Sequence, residues 1–543
     1  MSATRSSEIV STTSGPVRGK TFEFGDQSAS AFLGIPYAKP PINELRFKVK
    51  AANFEDYEPI QKPQPVESWT EVRSCVQFAA ACPHISPNTG HNLHYDEDCL
   101  YLNVFAPPIE RDNLKPVLFY IHGGGFIVDS SELIGDEGVC KFLCSKGIVV
   151  VTFNYRLGIF GFLTLDNDEV KGNFGMFDML SAMQWTRDNI RFFGGDRDRI
   201  TIAGQSAGGV AVDLFTLSPL TRDIFAQAII FAGTTYGIWF DMNVKESRSI
   251  MIEYAKYRGC VVDGRTDEEV NQQVLNFYRN KSADELKAGI FPDPNFKFCP
   301  NKCLPLVPQI DGDFFPKSLD KLRKEAPPKR IINGVTEHEG LLFCVAKALK
   351  PELSYKDHTL ELLSSTRPHF TRQFAEKCVH EAAEGHVTDD HEHSAKCIQL
   401  VSDFMFNESA RRFGIERTKL GDRVYNFVFS HYKPGTLGEL GKMLPFEGST
   451  HCCELPYFFG KSILGPFKVE AEDQPVIDRF TTYLCSFIRT GDPNNEKYAE
   501  VWKPVTLEAP DLYFEFTSNG AETRDNFCGG KRLDVWDRLF SSQ

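Results

Sequence analysis

No run among the 543 residues approaches the roughly 20 consecutive apolar positions that a membrane-spanning helix requires. The longest candidates, Val117 to Ile121 and Ile148 to Phe153, have the length of strands. Basic charge is not in excess either: 60 Lys and Arg stand against 73 Asp and Glu, for a net charge of −13. With no long Lys/Arg block, a nucleic-acid partner is not expected. The opening MSATRSSEI carries no hydrophobic core of the kind a secretory signal needs. The closing Ser541-Ser542-Gln543 is no retention, peroxisomal or prenyl signal. The expectation is a cytoplasmic chain, or a secreted one if a signal was removed. The 15 cysteines, an odd number in a long chain, fit reduced thiols better than a disulfide scaffold. Internal repeats, low-complexity tracts and Pro/Gly/Ser linkers do not stand out, so residues 1–543 read as a single domain. Hydrophobic residues at 42% and charged residues at 24% exclude a disordered chain, a coiled coil and a collagen.

What is present is alternation. Short apolar runs at Val117 to Ile121, Gly147 to Phe153, Ile200 to Ala203, Ala228 to Phe231, Ile331 to Val335 and Val424 to Phe429 are separated by longer stretches with helical spacing. The runs are continuously apolar, which predicts strands covered on both faces. Met176, Met179, Leu180, Met183 and Ile190 form a helical stripe that Gly194-Gly195 ends. This order predicts an α/β fold with a mostly parallel central sheet and helices on both faces.

Gly204-Gln205-Ser206-Ala207-Gly208 is a G-x-S-x-G pattern. The pattern alone is common, but here a buried strand precedes it and the helix-like Gly209 to Leu217 follows. Strand, sharp turn and helix are what a nucleophilic serine needs: small neighbours let the turn form, and the helix N-terminus aims free N–H groups at developing negative charge. The blander reading is an ordinary Ser in a tight turn. Upstream, His122-Gly123-Gly124-Gly125-Phe126 follows another strand. Its glycines let two backbone N–H groups approach a substrate oxygen, and with the Ala207 N–H they would make three oxyanion donors. A serine hydroxyl also needs a base, and the base an orienting acid. In Thr336-Glu337-His338-Glu339-Gly340 both Glu337 and Glu339 compete on position, and His451 and His431 compete for the base.

The chain resembles the type-B carboxylesterases, the cholinesterase-like α/β hydrolases, from about Pro16 to the C-terminus. The blocks that carry the resemblance are Phe32 to Ala38 with Leu45-Arg46-Phe47, Glu97 to Asn103, Asn154-Tyr155-Arg156 with Gly158 to Phe162, and the run from Gly172-Asn173 to Asp196. The resemblance implies an α/β-hydrolase fold with large insertions and a serine ester hydrolase using a Ser206, Glu339 and His451 triad. It puts the oxyanion donors on Gly124, Gly125 and Ala207. A small-molecule or lipid ester is the implied partner, and no cofactor or metal is required. It also implies a disulfide between Cys75 and Cys99. Two departures inform the substrate. The Trp that cholinesterases carry before the family Cys at Cys99 is absent from Thr89-Gly90-His91-Asn92, and Gln205 replaces a Glu found before the nucleophile in many members. Both speak against a choline site. Alternatives are a hormone or lipid esterase similar to the juvenile-hormone esterases, although Asp178-Met179 departs from that subgroup's Asp-Gln, and an interaction protein that keeps the hydrolase shell. Nothing in the sequence assigns substrate-binding residues firmly. Phe296 and Phe298 are weak acyl-pocket candidates.

Other constellations read as structure. His386, Asp389, Asp390, His391 and His393 match no metal-ligand spacing and suggest a charged loop. Cys299 and Cys303 lack a second pair at zinc-site spacing. Lys321, Arg323, Lys324, Lys329 and Arg330 are expected on a solvated surface.

Overall fold

The computed structural model describes residues 4–47, 64–85, 93–240, 242–287, 304–345, 352–367, 370–383, 394–465 and 467–541. Five expectations lie outside them: Thr89 to Asn92, Phe296 with Phe298, Cys299, Cys303, and the His386 to His393 loop.

Thirteen strands form one sheet among the described residues. The first five are Thr4–Ser11 (β1), Pro16–Phe24 (β2), Gln27–Pro36 (β3), Arg73–Ser74 (β4) and Tyr101–Ala106 (β5). The central ones are Lys115–Ile121 (β6), Val149–Phe153 (β7), Gly195–Gln205 (β8), Gln227–Phe231 (β9), Arg330–Thr336 (β10) and Arg423–Phe429 (β11). Tyr513–Phe516 (β12) and Ala521–Arg524 (β13) complete it. The spatial order is β1-β2-β3-β5-β7-β6-β8-β9-β10-β11-β12-β13, with β4 on β2. All pairs from β7 through β12 are parallel, and the flanking pairs on this path are antiparallel. Each apolar run singled out in the sequence falls within one of these strands, except that Gly147 and Ile148 precede β7.

Alternation along a strand sends successive side chains to opposite faces. Val117, Phe119 and Ile121 of β6 enter one core, with Val149 and Val151 of β7. Leu118 and Tyr120 enter the other, with Val150. The helices Phe174–Asn189 and Ala207–Leu217 cover the first face, and Gln474–Thr490 covers the second. Because both faces are covered, the strands need continuous apolarity. The first helix ends through a 3₁₀ turn, Ile190–Phe193, and Gly194 at φ +78°.

One clamp ties this helix to the chain leaving β7. Arg156 donates Nε and Nη2 to Asp178 Oδ2 and Oδ1, each at 2.7 Å, and its backbone N–H donates to Oδ2 at 3.0 Å. Asp178 is fully buried. Replacing only one partner strands a buried charge, which typically costs 3–5 kcal/mol. Asp178→Asn is therefore expected to lower unfolding free energy by about 3–5 kcal/mol, read as a lower urea midpoint at unchanged m-value.

Two expectations need correction. The implied Cys75–Cys99 disulfide is not formed: Cys82 pairs with Cys99, at a Cα separation of 5.0 Å, and Cys75 is a free thiol. Backbone pairing explains the choice. Cys75 is held elsewhere, its N–H donating to Arg18 O and its carbonyl accepting from Leu33 N–H. Ala81 and Tyr95 bridge, and Ala81 O accepts from the Asp96 N–H, which sets Cys82 close to Cys99. The basic group at Lys321 to Arg330 is not uniformly solvated either. Arg323 is buried, its guanidinium 4.5 Å from the Tyr236 ring centre, with Nη2 donating to Thr235 Oγ1 at 2.8 Å. The planar cation gains more by stacking on the ring than Lys321 or Lys324 would.

Candidate active site

The site gathers at the ends of β6, β8, β10 and β11, where the parallel strands hand over to loops and helices. At the end of β8 the chain turns sharply. Ser206 has φ +56° and ψ −122°, a conformation that non-glycine residues rarely adopt. The turn survives because its surroundings determine it. The Ser206 N–H donates to Phe231 O of β9 at 2.8 Å, and the Ala232 N–H just beyond β9 donates to Gly334 O of β10 at 2.8 Å. The flanking glycines leave no room for side chains: a Cβ on Gly204 would meet Gly208 O at 2.2 Å, and one on Gly208 would meet Ile121 O at 2.2 Å. The helix Ala207–Leu217 starts at once, and every residue in it is buried. Ser206 itself is only partly covered.

Beyond β6, the loop from His122 runs with Gly124 at φ +86°, Gly125 at +63°, Phe126 at +62° and Asp129 at +90°. Gly124 O accepts from the N–H groups of both Ile127 and Val128, each at 3.0 Å, so the loop doubles back on itself. Among the described residues, no hydrogen bond uses the N–H groups of Gly124, Gly125 or Ala207. Ala207 opens its helix, where N–H groups have no intrahelical acceptor. Gly124, Gly125 and Ser206 are half-buried and Ala207 is buried; a Cβ on Gly123 would stand 3.2 Å from Ser206 Cβ, so the loop lies against the turn.

Next to Gln205, the residue before Ser206, lie the candidate base and acid. His451 Nδ1 is 2.5 Å from Glu339 Oε2. The other carboxylate oxygen accepts from the Thr336 N–H at 2.6 Å, at the end of β10. Glu339 is fully buried and His451 nearly so. The turn bearing Glu339 is pinned twice: Ser402 Oγ accepts the Gly340 N–H at 2.8 Å, and Thr450 Oγ1 accepts the Leu342 N–H at 2.8 Å. The competing candidates stand elsewhere. Glu337 is exposed, 3.8 Å from His338. His431 is hydrogen-bonded to Ser518 and Tyr457.

With Nδ1 donating to a carboxylate, Nε2 carries the lone pair. In this structure that lone pair accepts from the Gln205 amide, Nε2 to Nε2 3.0 Å. No hydrogen bond joins His451 to Ser206 Oγ among the described residues. Sequence reasoning weighed Gln205 only as a missing anion, not as a partner of the base. Glu454, which the resemblance sets in one block with His451, has no role in that reading. Among the described residues both its carboxyl oxygens lack hydrogen-bond partners, and burial, reinforced by the charge of Glu339, raises its pKa well above the usual carboxyl range. Two buried carboxyls thus face the same region, and Glu454 is the one held neutral. A third omission is Phe406, whose ring lies 4.6 Å from that of His451. It sits in a π-helical turn, Asp403–Asn407, set within a longer helical stretch. The extra residue of such a turn rotates side chains off the regular stripe, so helical spacing carried no signal for it. Phe343 and Trp239 pack on Phe406 and extend an apolar wall.

Among the described residues, no three His, Cys, Asp or Glu side chains converge as metal ligands, and no helix is long and apolar enough to cross a membrane. The arrangement can take a proton from an alcohol, pass it through an imidazole held by a carboxylate, and meet a new oxyanion with three N–H groups.

Known proteins point the same way. A family pattern described as "Carboxylesterase family" matches residues 6–536. Esterase cest-33 of Caenorhabditis elegans is 33% identical over 96% of this chain and 93% of its own. Gut esterase 1 of Caenorhabditis briggsae is 28% identical over 98% and 92%. The acetylcholinesterase of Bungarus fasciatus is 29% identical over 92% and 81%. With the family pattern spanning nearly its whole length, the chain belongs to the carboxylesterase family and is a carboxylic ester hydrolase on the α/β-hydrolase fold.

Proposed function

We propose that the chain cleaves carboxylic esters through a covalent acyl-enzyme on Ser206, with His451 as base and Glu339 as its orienting acid. The observation that carries this reading is the buried His451–Glu339 hydrogen bond, with the imidazole's other nitrogen on Gln205, the residue before a serine in a strained turn. His451 Nε2 takes the Ser206 proton as Oγ attacks the ester carbonyl. Glu339 keeps the proton on Nδ1 and stabilises the imidazolium. The N–H groups of Gly124, Gly125 and Ala207 receive the oxyanion. One such donor is worth about 3–4 kcal/mol in enzymes of this type. His451 then protonates the departing alcohol, and water activated by the same imidazole frees the acid. Before the first step the imidazole exchanges its Gln205 partner for Ser206.

The substrate we propose is an uncharged small-molecule or lipid ester. Phe343, Phe406 and Trp239 supply apolar surface beside the base, and Gln205 brings no negative charge for a quaternary ammonium group. The test is a fluorophosphonate serine probe with peptide mapping, run beside an ester panel. A single adduct on Ser206 is expected, with short neutral acyl esters cleaved faster than acetylthiocholine. An adduct on another serine overturns the nucleophile assignment. No adduct together with no hydrolysis favours an interaction protein on this fold.

A further inference from the structure

Beneath the candidate oxyanion loop lies a carboxyl group that the proposed chemistry does not use. Asp129 is 7% exposed and sits at φ +90°. The loop brings it against Gly124: a Cβ on Gly124 would stand 2.8 Å from Asp129 Cβ. Its Oδ1 accepts the Ser130 N–H at 2.6 Å. Its Oδ2 lies 3.9 Å from His122 Nδ1, which is itself 3.2 Å from Gly123 O. His122 stacks on Tyr155 at 4.4 Å between ring centres, and the Tyr155 hydroxyl donates to His122 O at 2.9 Å. The carboxyl is thus wedged into the scaffold of the loop.

The groups facing it carry no permanent positive charge. They are His122 and Tyr120 from β6 and the loop, Tyr155 beyond β7, and Cys452 beside His451. Burial keeps His122 neutral, its pKa lowered to about 3, and His84 behind it adds to that effect. Among the described residues, an Asp129 carboxylate therefore has no cation to compensate it. Any negative charge there acts directly against a second negative charge on the oxygen that Gly124 and Gly125 would hold.

Resting on the oxyanion reading above, we propose that Asp129 is a positioning residue whose neutral carboxyl supports the oxyanion loop and whose ionisation suppresses the reaction. Burial pushes its pKa up to about 7, which sets the change in the neutral range. The sign follows: raising the pH ionises Asp129, so the rate should fall on the alkaline side. At separations of several ångströms in a partly buried site, one charge should cost about tenfold in kcat/KM.

The experiment is the pH profile of kcat/KM for a neutral ester, compared across wild type, Asp129→Asn and Asp129→Gly. Asn and Gly both accept a positive φ, so neither adds backbone strain. In the wild type the rate at pH 6.5 should exceed that at pH 9 by about tenfold. In both variants that ratio should fall close to one. Phosphonate labelling of Ser206 at pH 6.5 runs in parallel on all three proteins. Normal labelling with an alkaline fall that persists in both variants overturns the Asp129 assignment and leaves the esterase reading standing. Normal labelling with no alkaline fall in the wild type does the same. Absence of labelling in the wild type overturns the reading beneath it, and this proposal with it.

Discussion

Ser206→Ala should reduce kcat/KM for a short activated ester by about 10⁵- to 10⁶-fold, the loss seen when a nucleophile is removed from such a unit. The oxygen is the only atom lost. Ser206 is half-covered and its hydroxyl makes no hydrogen bond within the described residues, so little packing or polar satisfaction goes with it. The strained φ of +56° is as tolerable to Ala as to Ser, because both bear a Cβ. Thermal stability should therefore stay within about 0.5 kcal/mol of wild type. Substrate should still bind, since the three N–H donors and the aromatic wall are untouched. The pair of measurements is kcat/KM by stopped or continuous assay and Tm by calorimetry. A variant that retains activity at the wild-type level would show that another group attacks the ester.

Glu339→Gln should cost about 10³- to 10⁴-fold in kcat with little change in KM. The amide is nearly the shape of the carboxylate, and the Thr336 N–H can still find an oxygen. The other end of the group changes role. An amide nitrogen facing His451 Nδ1 donates rather than accepts, which moves the imidazole proton to Nε2 and removes the lone pair that must receive the Ser206 proton. The charge that would stabilise the imidazolium is lost as well. In free-energy terms the loss is about 4–5 kcal/mol of barrier. A rise confined to KM, with kcat unchanged, would instead assign Glu339 to substrate binding.

The parts of this molecule that the sequence exposed are those where one local rule decides. Buried parallel strands must be apolar on both faces, so β6, β7 and β8 announced themselves. A turn that excludes side chains must be written in small residues, so Gly204 and Gly208 marked the bend at Ser206. The choice between Glu337 and Glu339 could not be made locally. Both follow β10, and only the first 3₁₀ turn, beginning at Glu339, directs one carboxylate inward while the other meets solvent. Family resemblance chose Glu339, whose carboxylate meets His451, but it chose wrongly for Cys75. That error is instructive: sulfur pairing depends on the bridge between Ala81 and Tyr95, and no spacing encodes it. Phe406 was hidden by a helical irregularity, and the Gln205 contact by a separation of 246 positions from His451.

The bend at Ser206 is shaped by strands that come later in the chain. Its N–H is secured by β9, and β9's successor is secured by β10, which ends at Thr336. During synthesis from the N-terminus, the ribosome must therefore release well over a hundred further residues before this serine acquires its reactive geometry, and more still before residue 451 arrives. Nascent chains and C-terminal truncations should be inert towards cellular esters, so the completed polypeptide switches on as a unit and not by degrees.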